Sequence, residues 1–261
     1  MIIFFGDVHG QFGHVERAVA EHRPAAIILL GDIEAQRPLE VELAKVLDKT
    51  EVWFIHGNHD TDRPELLANL FESELAQRNL HGRVMEIDGV RVAGLGGVFR
   101  EEIWWPDPVD AEPHYESYAD YQKRSESGRI LAAHRARKIR NAEDQLPEIK
   151  ATGKMLKHRS TIFSQEYYEL AAQEADILVT HEAASCHPNG FVAVDELARS
   201  MRVQKSYHGH QHDNLNYQAK WLELGFQAYG VGLRGITDMD GRIIKAGDLD
   251  EQRAYRQKAV E

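Results

Sequence analysis

The sequence predicts an α/β sandwich, and three observations predict it. Short continuous apolar runs (Met1 to Phe5, Ala25 to Leu30, Val52 to Ile55, Ala175 to Val179) have the pattern of strands covered on both faces. Amphipathic segments alternate with several of them, as parallel strands joined by helices require. Each run then breaks abruptly into polar side chains of the kind that ligate metals.

In chain order, Met1 to Phe5 gives way to Gly6-Asp7-Val8-His9-Gly10. Asp7 and His9 occupy alternate positions of an extended segment, so both side chains face one point. An oxygen and a nitrogen ligand together suit a transition metal, although Asp-x-His alone fits a surface loop as well. Gln11 to His22 reads as a helix with Phe12, Val15, Ala18 and Val19 on one face, ended by Pro24. The second run ends in Gly31-Asp32. Pro38 to Leu47 reads as a helix with Leu39, Leu43, Val46 and Leu47 inward. The third run breaks into His56-Gly57-Asn58-His59-Asp60, and Pro64 opens a helix through Leu70. Arg83 to Ile87 and Val90 to Leu95 form a hairpin about Asp88-Gly89.

Residues 101–165 change character. They hold Trp104, Trp105, Tyr115 and Tyr118, then a basic stretch from Lys123 to Arg140 with Arg129, Arg135, Arg137 and Lys138. One or two helices and no strand are expected, as an insertion carried on the core's surface. The regular pattern resumes with a helix near Gln165 to Gln173. The fourth run breaks at Thr180-His181-Glu182, a short helix covers Val194 to Ser200, and Val203 to Tyr207 runs into His208-Gly209-His210-Gln211-His212. The rest, through Tyr229, Ile236 and Ile244, reads as antiparallel strands. Residues 249–261 read as a charged, frayed tail. The whole, 1–261, is expected to be one domain carrying the 101–165 insertion.

Composition narrows the function. The chain is 43% hydrophobic and 28% charged, with a formal net charge of −11. That charge gives no general pull toward nucleic acid or anionic membrane. Cys186 is the single cysteine, so no intrachain disulfide forms and a reducing cytoplasm fits. A strand starting at residue 1 leaves no room for a signal peptide, and no apolar run approaches the ~20 residues that span a bilayer. The expected location is the cytoplasm, without membrane attachment.

Five ligand-rich breaks therefore follow strands, read here as belonging to one sheet: Asp7-x-His9, Gly31-Asp32, Gly57-Asn58-His59-Asp60, His181, and Gly209-His210-Gln211-His212. In this order the chain resembles the calcineurin-like metallophosphoesterase superfamily, over residues 1–100 and 166 to about 245. The resemblance implies a four-layer α-β-β-α sandwich. It implies one metal held by Asp7, His9, Asp32 and His212, and another by Asp32, Asn58, His181 and His210, with Asp32 bridging. Mixed imidazole and carboxylate ligands suit manganese first, with iron, zinc or nickel as alternatives, rather than calcium. Two such ions ~3.5–4 Å apart generate a hydroxide near neutral pH and neutralise phosphate oxygens. The implied reaction is hydrolysis of a phosphomonoester or phosphodiester by that bridging hydroxide, in line at phosphorus. His59 would face the phosphate and protonate the leaving oxygen, its imidazole held by Asp60 or Asp32.

Two alternatives accompany this reading. One is a nuclease acting on DNA or RNA, suggested by the basic stretch, which a solvated helix face explains better. The other is a non-catalytic scaffold, which would be expected to have lost ligands; here every position is filled. The substrate is thus a phosphorylated small molecule or another phosphoester. Many relatives continue the second motif as GDxxDR, but here Ala35-Gln36 replace the Asp-Arg pair. Arg37, Arg63, Arg100 and Arg234 are the remaining candidates for gripping phosphate, unless they are merely solvated. His208, Cys186 and His187 read as strand-end and loop side chains beside the site. His14, His22, His56, His81, His114, His134 and His158 read as surface or helix positions. The insertion is expected to be a lid over the cleft or a contact between copies of the chain, with Trp104 and Trp105 packing either a substrate or an internal subcore.

Overall fold

A computed structural model describes residues 1–136 and 145–261. Arg137, Lys138 and Arg140 of the basic stretch lie outside the described residues. The apolar runs form two five-stranded sheets rather than one. In the first, β1 (Ile2–Phe5), β2 (Ala26–Leu30) and β3 (Glu51–Ile55) are parallel. The second begins with the hairpin β4 (Arg83–Ile87) and β5 (Val90–Leu95), continued in parallel by β6 (Ile177–Thr180), β7 (Lys205–His208) and β8 (Gln227–Gly230). Antiparallel β9 (Ile236–Asp238) and β10 (Ile243–Lys245) complete the first sheet beside β1. β8 is parallel to its neighbour, not antiparallel as expected; the long connection from 209 to 226 carries the chain back to the start of β7, which makes a parallel pairing possible.

Strand alternation explains why these runs are apolar throughout. Ile3, Phe5, Ile27, Leu29, Val52 and Phe54 face an outer core with α1 (Gly13–His22), through Val15, Ala18 and Val19. Their neighbours Ile2, Phe4, Ile28, Leu30, Trp53 and Ile55 face an inner core shared with Val92, Ile177, Val179 and Tyr207 of the second sheet. Phe4 stacks on Tyr207 across that seam, ring centroids 3.9 Å apart. The second sheet's other face, with Ala93, Leu95 and Leu178, packs against a third core. The architecture is a four-layer sandwich of helices, sheet, sheet and helices.

Several elements differ from the sequence-based reading. The helix expected over Pro38 to Leu47 is a single turn, α2 (Leu39–Glu42), followed by further turns. Leu39, Leu43 and Val46 are still buried, but Leu47 faces solvent. α3 (Pro64–Phe71) is as expected. The insertion holds α4 (Tyr118–Arg124), α5 (Glu126–Ala136) and α6 (Gln145–Lys157). It is not merely carried on the surface. Ile103, Trp104, Tyr121, Met155, Ile162 and Phe163 belong to the third core, together with Leu170 of α7 (Ser164–Ala171) and Leu197 of α8 (Val192–Ser200).

α9 (Trp221–Leu224) leads into β8, and the tail is packed rather than frayed. Residues Asp250–Arg253 form α10, a 3₁₀ turn covers Ala254–Ala259, and Val260 is buried. No described helix is long and apolar enough to cross a membrane.

Candidate metal centre

The carboxyl ends of β1, β2 and β3 deliver Asp7 and His9, Asp32, and Asn58. The ends of β6 and β7 deliver His181, His210 and His212 from the opposing sheet. The candidate site thus spans the seam of the sandwich, where ligands collect in open α/β sheets. The backbone is bent sharply to bring these side chains together. His9, Asp32, His210 and His212 all have left-handed φ, between 42° and 64°. Such conformations cost of order 1–3 kcal/mol each and gather at functional sites. Two glycines permit the close approach: a Cβ at Gly57 would strike Asp32 Oδ1, and one at Gly209 would strike Asp7 Oδ1.

Two clusters result. One ligand atom each from Asp7, His9, Asp32 and His212 lie within 4.8 Å of one another, and so do those of Asp32, His181 and His210. Asn58 Oδ1 joins the second cluster, 3.2 Å from His181 Nε2. Asp32 belongs to both. Its Oδ2 lies 3.4 Å from His181 Nε2, while its Oδ1 accepts the His59 amide at 2.8 Å.

The outer nitrogens of two histidines are already engaged. His9 Nδ1 is 2.5 Å from Glu34 Oε1, and His181 Nδ1 is 2.8 Å from the Leu30 carbonyl. In the neutral ring, donation there would turn each Nε2 lone pair inward, as in metal-ligating imidazoles. His9 Nε2 and His212 Nε2 then converge to 3.1 Å. Asp7 Oδ2 is buried and accepts no hydrogen bond, although His212 Nε2 is 3.0 Å away. This set of imidazole nitrogens, carboxylate oxygens and one amide oxygen fits a pair of divalent transition-metal ions.

The electrostatics are those of a cation site. Burial alone pulls the His181 imidazole down, but the Asp32 charge and hydrogen bond reverse this and push it up to about 10. Burial pushes Asp32 up, yet His181 outweighs it and holds the carboxyl well below its usual range. Asp60 is pushed up to about 7 by burial and by the neighbouring Asp32 charge. Burial likewise pushes Glu182 up to about 7, against His181 and the Phe99 amide.

The structure adds three acidic residues to the expected list. Glu34, two residues beyond Asp32, orients His9. Asp62, rather than Asp60 or Asp32, holds His59, with Oδ2 2.6 Å from Nδ1. Asp60 instead accepts the Glu34 and Gly57 amides, at 2.7 and 2.8 Å, and pins those two turns together. Glu182 accepts the Phe99 amide and approaches His210 Nε2 at 3.9 Å. Asp62 sits at i+3 from His59, a spacing visible in the sequence; nothing local marks Glu34 or Glu182.

Of the four arginines, Arg100 borders the hollow formed with Asn58 and His210, half-buried, its Nη1 on Ser160 O and Thr161 Oγ1. Arg37 is exposed and pairs with Glu42, Arg63 reaches Gln36, and Arg234 pairs with Asp248. His208 is buried against Tyr217, and Cys186 and His187 are buried. His14, His56 and His158, read from sequence as surface or helix positions, are buried too, because α1, the end of β3 and the 3₁₀ turn after α6 pack inward. Arg253 donates to the Gln211 carbonyl, and Arg256 Nη1 donates to Asp213 Oδ2 at 2.8 Å, so the packed tail braces the loop carrying His210 and His212.

The chain matches the calcineurin-like phosphoesterase family over residues 1–214. It belongs to that family. An uncharacterized protein of Haemophilus influenzae is 36% identical over 247 residues, covering 94% of this chain and 96% of that protein. The crystal structure of TT1561 of Thermus thermophilus shares the fold, with a TM-score of 0.52 and 15% identity, over 94% of this chain and 97% of that one. Members of the calcineurin-like phosphoesterase family are metal-dependent phosphoester hydrolases that bind two divalent metals, and the two Asp/His clusters sharing Asp32 supply a candidate for such a site here.

Proposed function

We propose that this calcineurin-like phosphoesterase hydrolyses a small phosphorylated molecule at a two-metal centre held by Asp7, His9, Asp32, Asn58, His181, His210 and His212. The observation that carries the reading is the pair of ligand clusters sharing one buried carboxylate, Asp32. When bound, two divalent cations supply Lewis-acid charge for the phosphate oxygens and acidify water. Manganese is the first choice, since the donor set mixes imidazole with carboxylate and amide oxygen.

The chain's own residues do the rest. His59 is not among the ligands; it lies beside them, its ring centroid 5.9 Å from that of His9. Asp62 fixes its Nδ1, which leaves Nε2 to carry a proton to the departing oxygen. Asp60 acts by positioning, tying the His59 turn to Glu34. Arg100, which borders the same hollow as Asn58 and His210, is the candidate donor to a substrate phosphate oxygen in place of the arginine missing from the second motif. The net charge of −11 and the pairing of Arg124 with Asp120 favour a small substrate over a polynucleotide. The single buried thiol of Cys186 suits a reducing cytoplasm.

The test is a substrate panel with Mn²⁺ present and absent: aryl phosphomonoester, aryl phosphodiester, cyclic nucleotides, dinucleoside polyphosphate, phosphopeptide and single-stranded DNA or RNA. Metal-dependent turnover of a small phosphoester is expected. No turnover of any member by fully metallated protein would overturn the reading.

A further inference from the structure

A groove continues from the metal centre past Asn58 and His210. Its near part, of about 410 Å³, is bordered by Arg100, Phe99 and Gln211. Its far part, of about 540 Å³, is bordered by Pro106, Val109 and Val192. Trp105, Asn189 and Phe191 border both parts. Volumes of this order hold a single small ligand.

The two adjacent tryptophans of the insertion have opposite fates. Trp104 is 1% exposed and belongs to the core, whereas Trp105 is 40% exposed at the groove. Trp105 is nevertheless firmly backed. It meets Phe191 edge to face at 5.0 Å, Phe191 packs on Phe99 at 4.9 Å, and Phe99 packs on buried Trp104 at 5.6 Å. A rigid, exposed aromatic face of this kind favours a flat ring laid against it. Beside it stand two amides, Asn189 and Gln211, 3.4 Å apart through Nδ2 and Oε1, which offer both donors and acceptors to a ring edge. The carboxylates Asp107 and Glu196 also border the far part. Acids there repel further phosphates, so the groove suits one nucleotide unit and not a continuing strand.

We propose that this groove is the subsite for the substrate's organic part, and that it takes a nucleobase. The substrate class is then a nucleoside phosphoester of one nucleotide, with its base against Trp105 and Phe191 and its phosphate at the metal centre. The proposal rests on the phosphoester-hydrolase reading, and the two are tested separately by measuring binding and turnover.

Adenosine 5′-monophosphate and ribose 5-phosphate, which lacks the base, are titrated into the Mn²⁺-loaded protein, read by calorimetry. The nucleotide is expected to bind about tenfold or more tightly than the sugar phosphate, the range that stacking on one aromatic side chain supplies. Trp105→Ala abolishes the difference, and Trp105→Phe retains part of it, with melting temperature and manganese content unchanged in both. Equal affinity for the two probes, no detectable nucleotide binding, or a preference that survives Trp105→Ala overturns the subsite. Turnover in the same samples separates the readings. A base preference with no hydrolysis of these probes or of any member of the substrate panel leaves the subsite and removes the hydrolase, whereas hydrolysis with equal affinities does the reverse.

Discussion

Asp32 Oδ2 lies 3.4 Å from Nε2 of His181, and the two residues come from different sheets. Both are almost wholly buried, and Asp32 is the residue at which the two ligand clusters meet. Asp32→Asn removes the shared charge from both. Metal analysis is expected to show loss of both ions, with activity lost in parallel. An active Asp32→Asn protein depleted of metal would overturn the two-metal reading.

Glu34 acts through His9. Glu34→Gln keeps the shape but weakens the acceptor that fixes the His9 tautomer. Orienting groups of this kind are worth about 10–100-fold in metal affinity or activity. Metal titration of Glu34→Gln should show a loss of that size in one of the two sites, with the other unchanged.

His59 holds no metal in the proposed scheme. His59→Asn is therefore expected to keep both ions while turnover falls by about 10²–10⁴-fold, the usual contribution of general acid help. The loss should be largest for poorly departing alkoxides and smallest for nitrophenolate. Asp62→Asn should reproduce a milder version of the same pattern.

His14, outside the candidate ligand set, makes stability depend on pH. Burial, aided by Lys245 and Arg234, lowers its imidazole from 6.5 to about 4. In the unfolded chain it takes up a proton near its ordinary value, so between those two values the unfolded state binds more protons. Stability is then full above about 6.5 and declines as pH falls toward 4, by about 3 kcal/mol at the end. His14→Leu should match the wild type at pH 7 and exceed it by about that amount at pH 4, measured by urea denaturation.

What is legible in the sequence is local. Apolar runs such as Ala26 to Leu30, and the polar breaks after them, mark both the strands and the candidate ligands, because a strand buried on both faces has no polar position until it ends. Which sheet a run joins is a tertiary fact. Nothing in Ile177 to Thr180 says that it pairs with Val92 to Leu95 rather than with Ile2 to Phe5. A helix through Leu47 overestimates the element after Pro38, because Leu39, Leu43 and Val46 keep a helical spacing even when successive turns bury them. Trp104 and Trp105 are indistinguishable as letters, yet one fills the core and the other faces the groove. The role of Glu34 depends on left-handed φ at Asp32 and at Glu34 itself, which neither residue type announces, although Gly31 marks the turn.

The brace on the His210 loop has a consequence for assembly in time. Arg253 and Arg256 reach back 42 and 43 residues to Gln211 and Asp213. All seven candidate ligands, through His212, are therefore synthesised before the two guanidinium groups that hold the last loop among them. A chain shortened before Arg253 would carry the full ligand set with its final loop unbraced.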